Sequence, residues 1–516
     1  MSEFSDFFKR LIQEKNINVY SMVQYCNTDR STMYKFINGK RKLRDLSLFQ
    51  KISEFMRLSP QEYQEFLKSY HISNIGEYTY YCRKHVESFI LNFPDNIIPS
   101  KPPKDSYRPM PEYPKKSQCF SLNTQMEINN YLYWMIHQET SVQGGRLGLL
   151  LQPDYDFLFH LLSSIKPSQV PIKIEHIFCL NTSDQITDSK KLRILLYLKK
   201  IMPLFFAGLD YQPHYFYDDI NAHFYNLHTF PCLVLTSSCA LMCSSNFKQG
   251  ILYSDQELLD FFWKTFEDIR KETSPLFQVV DSVLDECNNL GNMGWGLTPS
   301  YEIQAEPCLV PYITPAILER MVYQQIPGRS SLLENINNFI AVSRARIPNP
   351  NMHMFHTLQG IRRFLETGRL LEIPEDIYSP FTMEERLQML QDMIPYMDSG
   401  TYHILKGHLE NIPPNLHLGF TRYNGYLLFR NNAGKNVYLI IEESSILSAF
   451  MDYASNFDEN DFYGPEESVS YIQKLIEKYK NDFTPPPYLV ICTYSLILCA
   501  FSAQNMRLFP KAYFSS

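Results

Sequence analysis

Positive side chains are concentrated in one short stretch of the chain. The stretch CNTDRSTMYKFINGKRKLR, residues 26–44, contains six Lys and Arg but one Asp, whereas the whole chain of 516 residues carries a formal net charge of -7. Guanidinium and ammonium groups donate hydrogen bonds to phosphates and to the edges of bases. The candidate binding residues are Arg30, Ser31, Thr32, Tyr34, Lys35, Lys40, Arg41, Lys42 and Arg44.

The charge is divided unevenly along the chain. Residues 1–70 contain 12 Lys and Arg against 8 Asp and Glu, a net charge of +4, and the remaining residues contain 36 against 47, a net charge of -11. This asymmetry favours an anionic partner such as nucleic acid for the N-terminal part, although a solvated basic face is the commoner explanation of charge clusters.

Local signals in the first 72 residues, here named the head, predict five short helices. Asn18 begins the second helix, Asn27 suits a tight left-handed turn, and Asp29 is placed to cap the third helix. Gly39 ends the third helix, and Ser59-Pro60 opens the fifth. Two helices joined by a tight turn within such a bundle predict a helix-turn-helix domain.

The head resembles the Cro and lambda-repressor-like family of helix-turn-helix proteins, often called the XRE family. The family stretch "s-r-s-t-i-s-r-w-e-x-G-k" corresponds to DRSTMYKFINGK, and its hydrophobic fourth helix corresponds to LSLFQKISEFM. Two positions depart from the pattern, because Val19 replaces the usual Gln and Ile37 replaces the usual Glu. The resemblance implies that the third helix enters the major groove of DNA.

Different roles are expected for the residues on and after that third helix. Arg30 is the best candidate for sequence choice, because a guanidinium can grip a guanine edge with two hydrogen bonds. Lys40, Arg41, Lys42 and Arg44 follow the helix in a loop and should contact the phosphate backbone, which supplies affinity and salt dependence. The alternative is a helix-turn-helix that is retained only for contacts with proteins.

The rest of the chain is expected to form a large body. A connecting helix, residues 73–98, precedes a linker with six prolines, residues 99–116, which should divide the head from the body. Strand and helix patterns then alternate, and similar successions of strands and a helix occur early and late. The predicted fold is therefore multidomain: an all-α helix-turn-helix domain followed by a mixed α/β (α+β) body, with a hint of two similar lobes at 117–285 and 286–516.

Catalytic motifs were sought in this body without success. The sequence has no His-x-Lys signature, HExxH helix, Gly-x-Ser-x-Gly elbow or Walker loop. His353 with His356, and His403 with His408, lack an evident acidic or thiol partner, and the eleven cysteines are scattered singly. We therefore expect reduced thiols, no metal and no cofactor.

Two classes of function fit these observations. The first is a one-component transcriptional regulator that binds double-stranded DNA as a homodimer and senses a small-molecule or peptide effector, and that has no enzymatic activity. The alternative is an enzyme or a stress-response effector that carries a helix-turn-helix adaptor. No signal peptide or membrane-spanning segment is evident, so a cytoplasmic protein without a membrane partner is expected.

Overall fold

The computed structural model describes residues 3–93, 103, 106–108, 118–165, 172–181, 193–220, 228–280, 285, 287, 289, 291 and 293–483. The chain divides into two compact units, one of Met1–Glu286 with Asn411–Phe457 and one of Cys287–Glu410 with Asp458–Ser516. Residues 411–457 belong to the first unit although they lie inside the predicted second lobe, so the five-segment division of the chain stays a prediction. None of the described helices combines the length and hydrophobicity that crossing a bilayer requires.

The head contains five helices, as the sequence predicts. They are α1 (Glu3–Glu14), α2 (Val19–Tyr25), α3 (Arg30–Ile37), α4 (Leu46–Phe55) and α5 (Pro60–Ile75). The side chains of Asn18, Asp29, Asp45 and Ser59 cap the last four of these helices. Each cap satisfies a backbone N–H that has no partner inside its helix, so these residues fix where the helices begin.

One apolar core holds the five helices together. Phe8, Met22, Met33, Phe49 and Phe66 are each completely or almost completely buried in it. Each of the five helices contributes one of these residues, so each helix turns one face inward. The opposite faces are exposed to solvent.

A sixth helix follows the head and packs against other parts of the first unit. It is α6 (Glu77–Leu91), and it buries Cys82, Val86, Phe89 and Ile90. Gly76 alone separates α6 from α5, with φ of 89° and ψ of 150°. Of the proline-rich segment the structure describes residues 103 and 106–108, and there Asn129 donates a hydrogen bond to the Ser106 carbonyl at 2.8 Å.

The first unit contains a mixed eight-stranded sheet in the order β1-β7-β6-β5-β2-β3-β4-β8. Its strands are β1 (Cys119–Leu122), β2 (Arg146–Leu150), β3 (Lys173–Asn181), β4 (Asp210–Asp218), β5 (Cys232–Leu235), β6 (Ala240–Cys243), β7 (Gly250–Tyr253) and β8 (Ser274–Pro275). The associated helices are α7 (Gln125–Glu139), α8 (Asp156–Ser163), α9 (Arg193–Phe206) and α10 (Gln256–Lys271). Strands β2, β3 and β4 are parallel, and β5, β6 and β7 are antiparallel.

The later strands and helices are shared between the two units. The first unit also holds β9 (Phe277–Val280), β13 (His417–Phe420), β14 (Gly425–Arg430), β15 (Asn436–Ile441) and the last but one helix, α15 (Ser444–Ala454). The second unit holds β10 (Ser300–Gln304), β11 (Met352–His356) and β12 (Tyr402–Ile404). Its helices are α11 (Pro315–Met321), α12 (Arg329–Arg346), α13 (Leu358–Thr367), α14 (Met383–Asp398) and α16 (Pro465–Phe483).

The same succession of strand pairings occurs twice along the chain. Strands β10, β11 and β12 pair in parallel, and β13, β14 and β15 pair antiparallel, just as β2–β4 and β5–β7 do. A helix follows the last strand of each series, α10 after β7 and α15 after β15. This repetition agrees with the similar successions that the sequence suggests, and the predicted mixed α/β body is confirmed.

Helix α6 packs against α15 in the first unit. The Arg83 guanidinium forms two hydrogen bonds with the Asp452 carboxylate of α15, at 2.7 and 3.0 Å, and the Phe89 ring lies edge-on to Phe450 at 5.8 Å. These contacts attach α6 to α15 within the first unit. The role of the proline-rich segment as the divider between head and body stays a prediction.

Candidate nucleic-acid interface

Helix α3 begins directly after a tight turn that two side chains define. Asn27 adopts a left-handed conformation with φ of 48°. The Asp29 carboxylate then accepts a hydrogen bond from the Thr32 N–H at 2.8 Å. Hydrogen bonds from Thr32 lower the pKa of Asp29, so this cap stays charged at neutral pH.

The two faces of α3 differ sharply in exposure. Met33, Phe36 and Ile37 are buried in the core of the head. Arg30, Ser31, Tyr34 and Lys35 are exposed, and Thr32 is half-buried. The Arg30 guanidinium lies 5.6 Å from the centre of the Tyr34 ring, so the two side chains lie side by side on the exposed face. The predicted recognition residues thus share one surface.

The basic loop, residues 40–44, is fixed to the C-terminal end of α3. The N–H groups of Lys40 and Arg41 both donate to the Lys35 carbonyl, at 2.8 and 3.2 Å. Leu43 inserts into the core and is 2% exposed. Lys40, Arg41, Lys42 and Arg44 are all exposed. The loop therefore presents four cations while its middle is held down by one apolar side chain.

The positive charges of this surface are left available. No carboxylate among the described residues forms an ion pair with the six Lys and Arg of residues 26–44. An open groove of about 550 Å³ lies beside the loop. Its lining residues are Thr32, Phe36, Arg41, Lys42, Leu43, Arg44, Asp45 and Leu48. Cations that lack an internal partner keep their full attraction for an external anion.

Both departures from the family pattern have a packing explanation. Ile37 is buried in the core of the head, and Val19 is partly buried against it. At both positions an apolar side chain therefore occupies space in the core where the family pattern has a polar one. The fold of the head is thus preserved without those two polar residues.

Sequence reasoning missed two residues that shape this surface. The Tyr70 hydroxyl donates a hydrogen bond to the Arg44 carbonyl at 2.7 Å, and the Asn74 amide donates to the Leu43 carbonyl at 2.8 Å. Both residues belong to α5 and lie 26 and 31 positions from their partners. The one sequence signal for a role in holding the loop was the presence of polar residues on the helix face of α5 that is expected to be buried.

The histidines do not pair with their neighbours in sequence. His353 of β11 and His403 of β12 approach each other, with ring nitrogens 3.3 Å apart. Burial lowers the pKa of both imidazoles, and that of His403 falls to about 4. No group of three or more potential metal ligands occurs among the described residues. The described residues at these positions therefore do not form a metal-binding cluster.

Several titratable groups are buried in the second unit, on β10, on β12 and in connecting segments. Burial raises the pKa of Glu302 in β10 to about 7, and that of Glu372 to about 8. Arg346 opposes this effect at Glu302. The Tyr402 hydroxyl donates to the Cys308 carbonyl at 2.8 Å. These two buried carboxyls of the second unit therefore keep their protons to a higher pH than an exposed Glu does.

Comparisons with known proteins leave the family of this chain open. No family model matches the chain, and no curated protein matches it. The solved structure of TrmBL2, an archaeal chromatin protein that binds DNA, matches with 10% identity over 52% of this chain and 98% of that chain, at a TM-score of 0.21. Phosphatidylserine synthase from Haemophilus influenzae Rd KW20 matches with 11% identity over 70% of this chain and 93% of that chain, at a TM-score of 0.19. Neither score is high enough to indicate a common fold.

Proposed function

We propose that the chain is a one-component transcriptional regulator whose head binds duplex DNA. The observation that carries this proposal is the continuous surface of α3 and the basic loop. It joins a capped helix with an exposed polar face to four loop cations that have no carboxylate partner among the described residues. The dimensions of a helix suit the major groove, and the loop cations suit the adjacent phosphates.

The body is proposed to sense a small-molecule or peptide effector. It is mixed α/β, carries the net negative charge of the chain and should therefore avoid DNA. We further propose that it has no catalytic activity and that the protein works in the cytoplasm. An effector then acts by binding more tightly to one arrangement of the chain than to another.

The first prediction concerns the division of labour on the DNA-binding surface. Changing Lys40, Arg41 and Lys42 together to Ala should weaken binding to all DNA sequences and reduce its dependence on salt, because phosphate contacts are lost. Arg30→Ala should instead relax base preference at one position of each half-site, at a cost of roughly 1–3 kcal/mol. Fluorescence anisotropy with operator and random duplexes over a salt series measures both effects.

A matched control comes from outside the proposed surface. Lys9→Ala and Arg10→Ala each remove a positive charge from α1. These variants should leave the salt dependence close to that of the unaltered chain. Equal behaviour of all variants, with or without the cations of residues 26–44, would show that this surface does not bind DNA.

The same titrations report how many chains bind. One small head covers only a half-site, so we propose a homodimer that places two α3 helices about 34 Å apart on a near-palindromic operator. The stoichiometry should be two chains per operator, and light scattering should show the dimer. A complex of one chain with one operator would contradict the homodimer, and the proposal that the head binds DNA would be unaffected.

A further inference from the structure

Helix α5 reaches across the head and holds the basic loop by its backbone. Tyr70 and Asn74 are one turn apart on α5, and they donate hydrogen bonds to two consecutive loop carbonyls, those of Arg44 and Leu43. Both carbonyls lie at the C-terminal end of the run of cations. The side chains of these two α5 residues therefore decide where the loop backbone runs.

Tyr70 is built firmly into the core. It is 5% exposed, and its ring centre lies 4.6 Å from that of Phe49 and 6.2 Å from that of Phe4. Burial raises the pKa of its phenol, so the hydroxyl keeps its proton and remains a donor at physiological pH. A donor on such a fixed ring has little freedom to follow the loop elsewhere.

The loop is thus held at both ends. The Lys35 carbonyl of α3 accepts hydrogen bonds from the first two N–H groups of the loop. Tyr70 and Asn74 of α5 donate hydrogen bonds to the last two carbonyls of the loop. A loop that is ordered before binding loses less conformational entropy when it meets a ligand. Four cations on an ordered backbone can also contact successive phosphates at the same time.

We propose that Tyr70 and Asn74 are positioning residues for the DNA contact. They act through the loop backbone, and they hold Lys40, Arg41, Lys42 and Arg44 in the arrangement that the phosphates require. This inference rests on the proposed function of the head. It assigns to α5, which makes no part of the proposed DNA surface, a share of the affinity for DNA.

The experiment compares Tyr70→Phe, Asn74→Ala and their combination in the full chain. Tyr70→Phe removes one hydroxyl and leaves the aromatic core filled. Each change should weaken DNA binding about fivefold, the effect of one ordinary hydrogen bond, and the combination should reduce the salt dependence as well. Base preference, which depends on Arg30, should not change.

Tyr63→Phe is the matched control. Tyr63 lies on the same helix and packs against the same core, and its hydroxyl makes no hydrogen bond with the described residues. It should bind DNA like the unaltered chain. Thermal unfolding, followed by circular dichroism, establishes that all variants are folded at the temperature of the binding assay.

A double-mutant cycle separates positioning from general stability. In a chain that already carries Lys40→Ala, Arg41→Ala and Lys42→Ala, the effect of Tyr70→Phe should largely disappear, because the groups that it positions are gone. An undiminished effect in that background would overturn the proposal, as would normal binding by the Tyr70→Phe and Asn74→Ala combination. If the unaltered chain bound no DNA, the proposed function would fall together with this inference.

Discussion

Individual charged side chains in the head fall into two groups. Lys15 and Glu62 form an ion pair at 2.9 Å, and Glu62 also accepts the Ser59 N–H, so that its pKa falls to about 2. The six cations of residues 26–44 have no such partner among the described carboxylates. Neighbouring like charges repel each other and lower stability, so their clustering favours a role in binding rather than in folding.

The protonated carboxyls of the second unit lead to a prediction on pH. Glu302 and Glu372 have pKa values of about 7 and about 8 in the folded chain, well above about 4.3 for an exposed Glu. The folded state therefore binds these protons more tightly than the unfolded state does. This contribution to stability is complete below the unfolded pKa and is lost as the pH rises through 7 and 8.

Glu302→Gln tests this prediction. The contribution of Glu302 to the free energy of unfolding should fall between about pH 6.5 and 8, and the histidines, which are half protonated at about pH 6.5 in the unfolded chain, contribute equally to the variant and to the unaltered chain. The variant should show a smaller fall, because an amide cannot ionise. Denaturant unfolding at several pH values measures the slopes, and Glu366→Gln on the surface serves as control. Identical slopes for Glu302→Gln and the unaltered chain would contradict the assignment.

Helices and their ends were predictable where the determining residues are close in sequence. Asn18, Asp29 and Ser59 lie three positions from the N–H groups that they cap, so the bounds of α2, α3 and α5 follow from local patterns. The contacts of Tyr70 and Asn74 with the loop join residues far apart in the chain, and no local pattern indicates them. The packing of α6 on α15 joins residues 369 positions apart, so no local pattern indicates it either.

The junction of α5 and α6 gives a prediction for a single backbone position. Gly76, with φ of 89° and ψ of 150°, occupies a region that essentially only glycine adopts. Gly76→Ala should therefore destabilise the fold by about 1–3 kcal/mol, although nothing lies within 4 Å of the added methyl group. Thermal and denaturant unfolding measure the loss.

Gly464→Ala is the corresponding control. Nothing lies within 4 Å of its added methyl group either, and its φ is not in the left-handed region. It should change stability little. A Gly76→Ala variant as stable as the Gly464→Ala variant would mean that the junction tolerates another conformation and that α5 and α6 can change their angle at little cost.

The first unit as a whole offers a route by which the body can influence DNA binding. The basic loop is attached to α5, α5 is joined to α6 by one residue, and α6 is bound to α15 by Arg83 and Phe89. An effector that shifts α15 would therefore act on the loop through packed helices. A coupling of roughly 1–3 kcal/mol, or about 5- to 150-fold in affinity, is typical of such systems.

This route predicts reciprocal effects in the intact chain. A small molecule or peptide that co-purifies with the protein, identified by mass spectrometry after denaturation, should change DNA affinity, and operator DNA should change the affinity for that molecule by the same factor. Calorimetric titrations in both orders measure the two factors. The compound should be recovered unchanged after incubation. Chemical conversion of the compound would favour the enzyme alternative, and an unchanged DNA affinity would remove the regulatory role.

The unpaired cations of the head also affect how the protein must be handled. At neutral pH the molecule has a net charge of -7, yet its first 70 residues carry +4. If the head binds nucleic acid as proposed, RNA and DNA of a lysate prepared at low ionic strength should co-purify with the protein on an anion-exchange column. Binding to a heparin support and elution with a salt gradient, followed by a check of the 260 to 280 nm absorbance ratio, should therefore precede the assignment of any bound compound to the body.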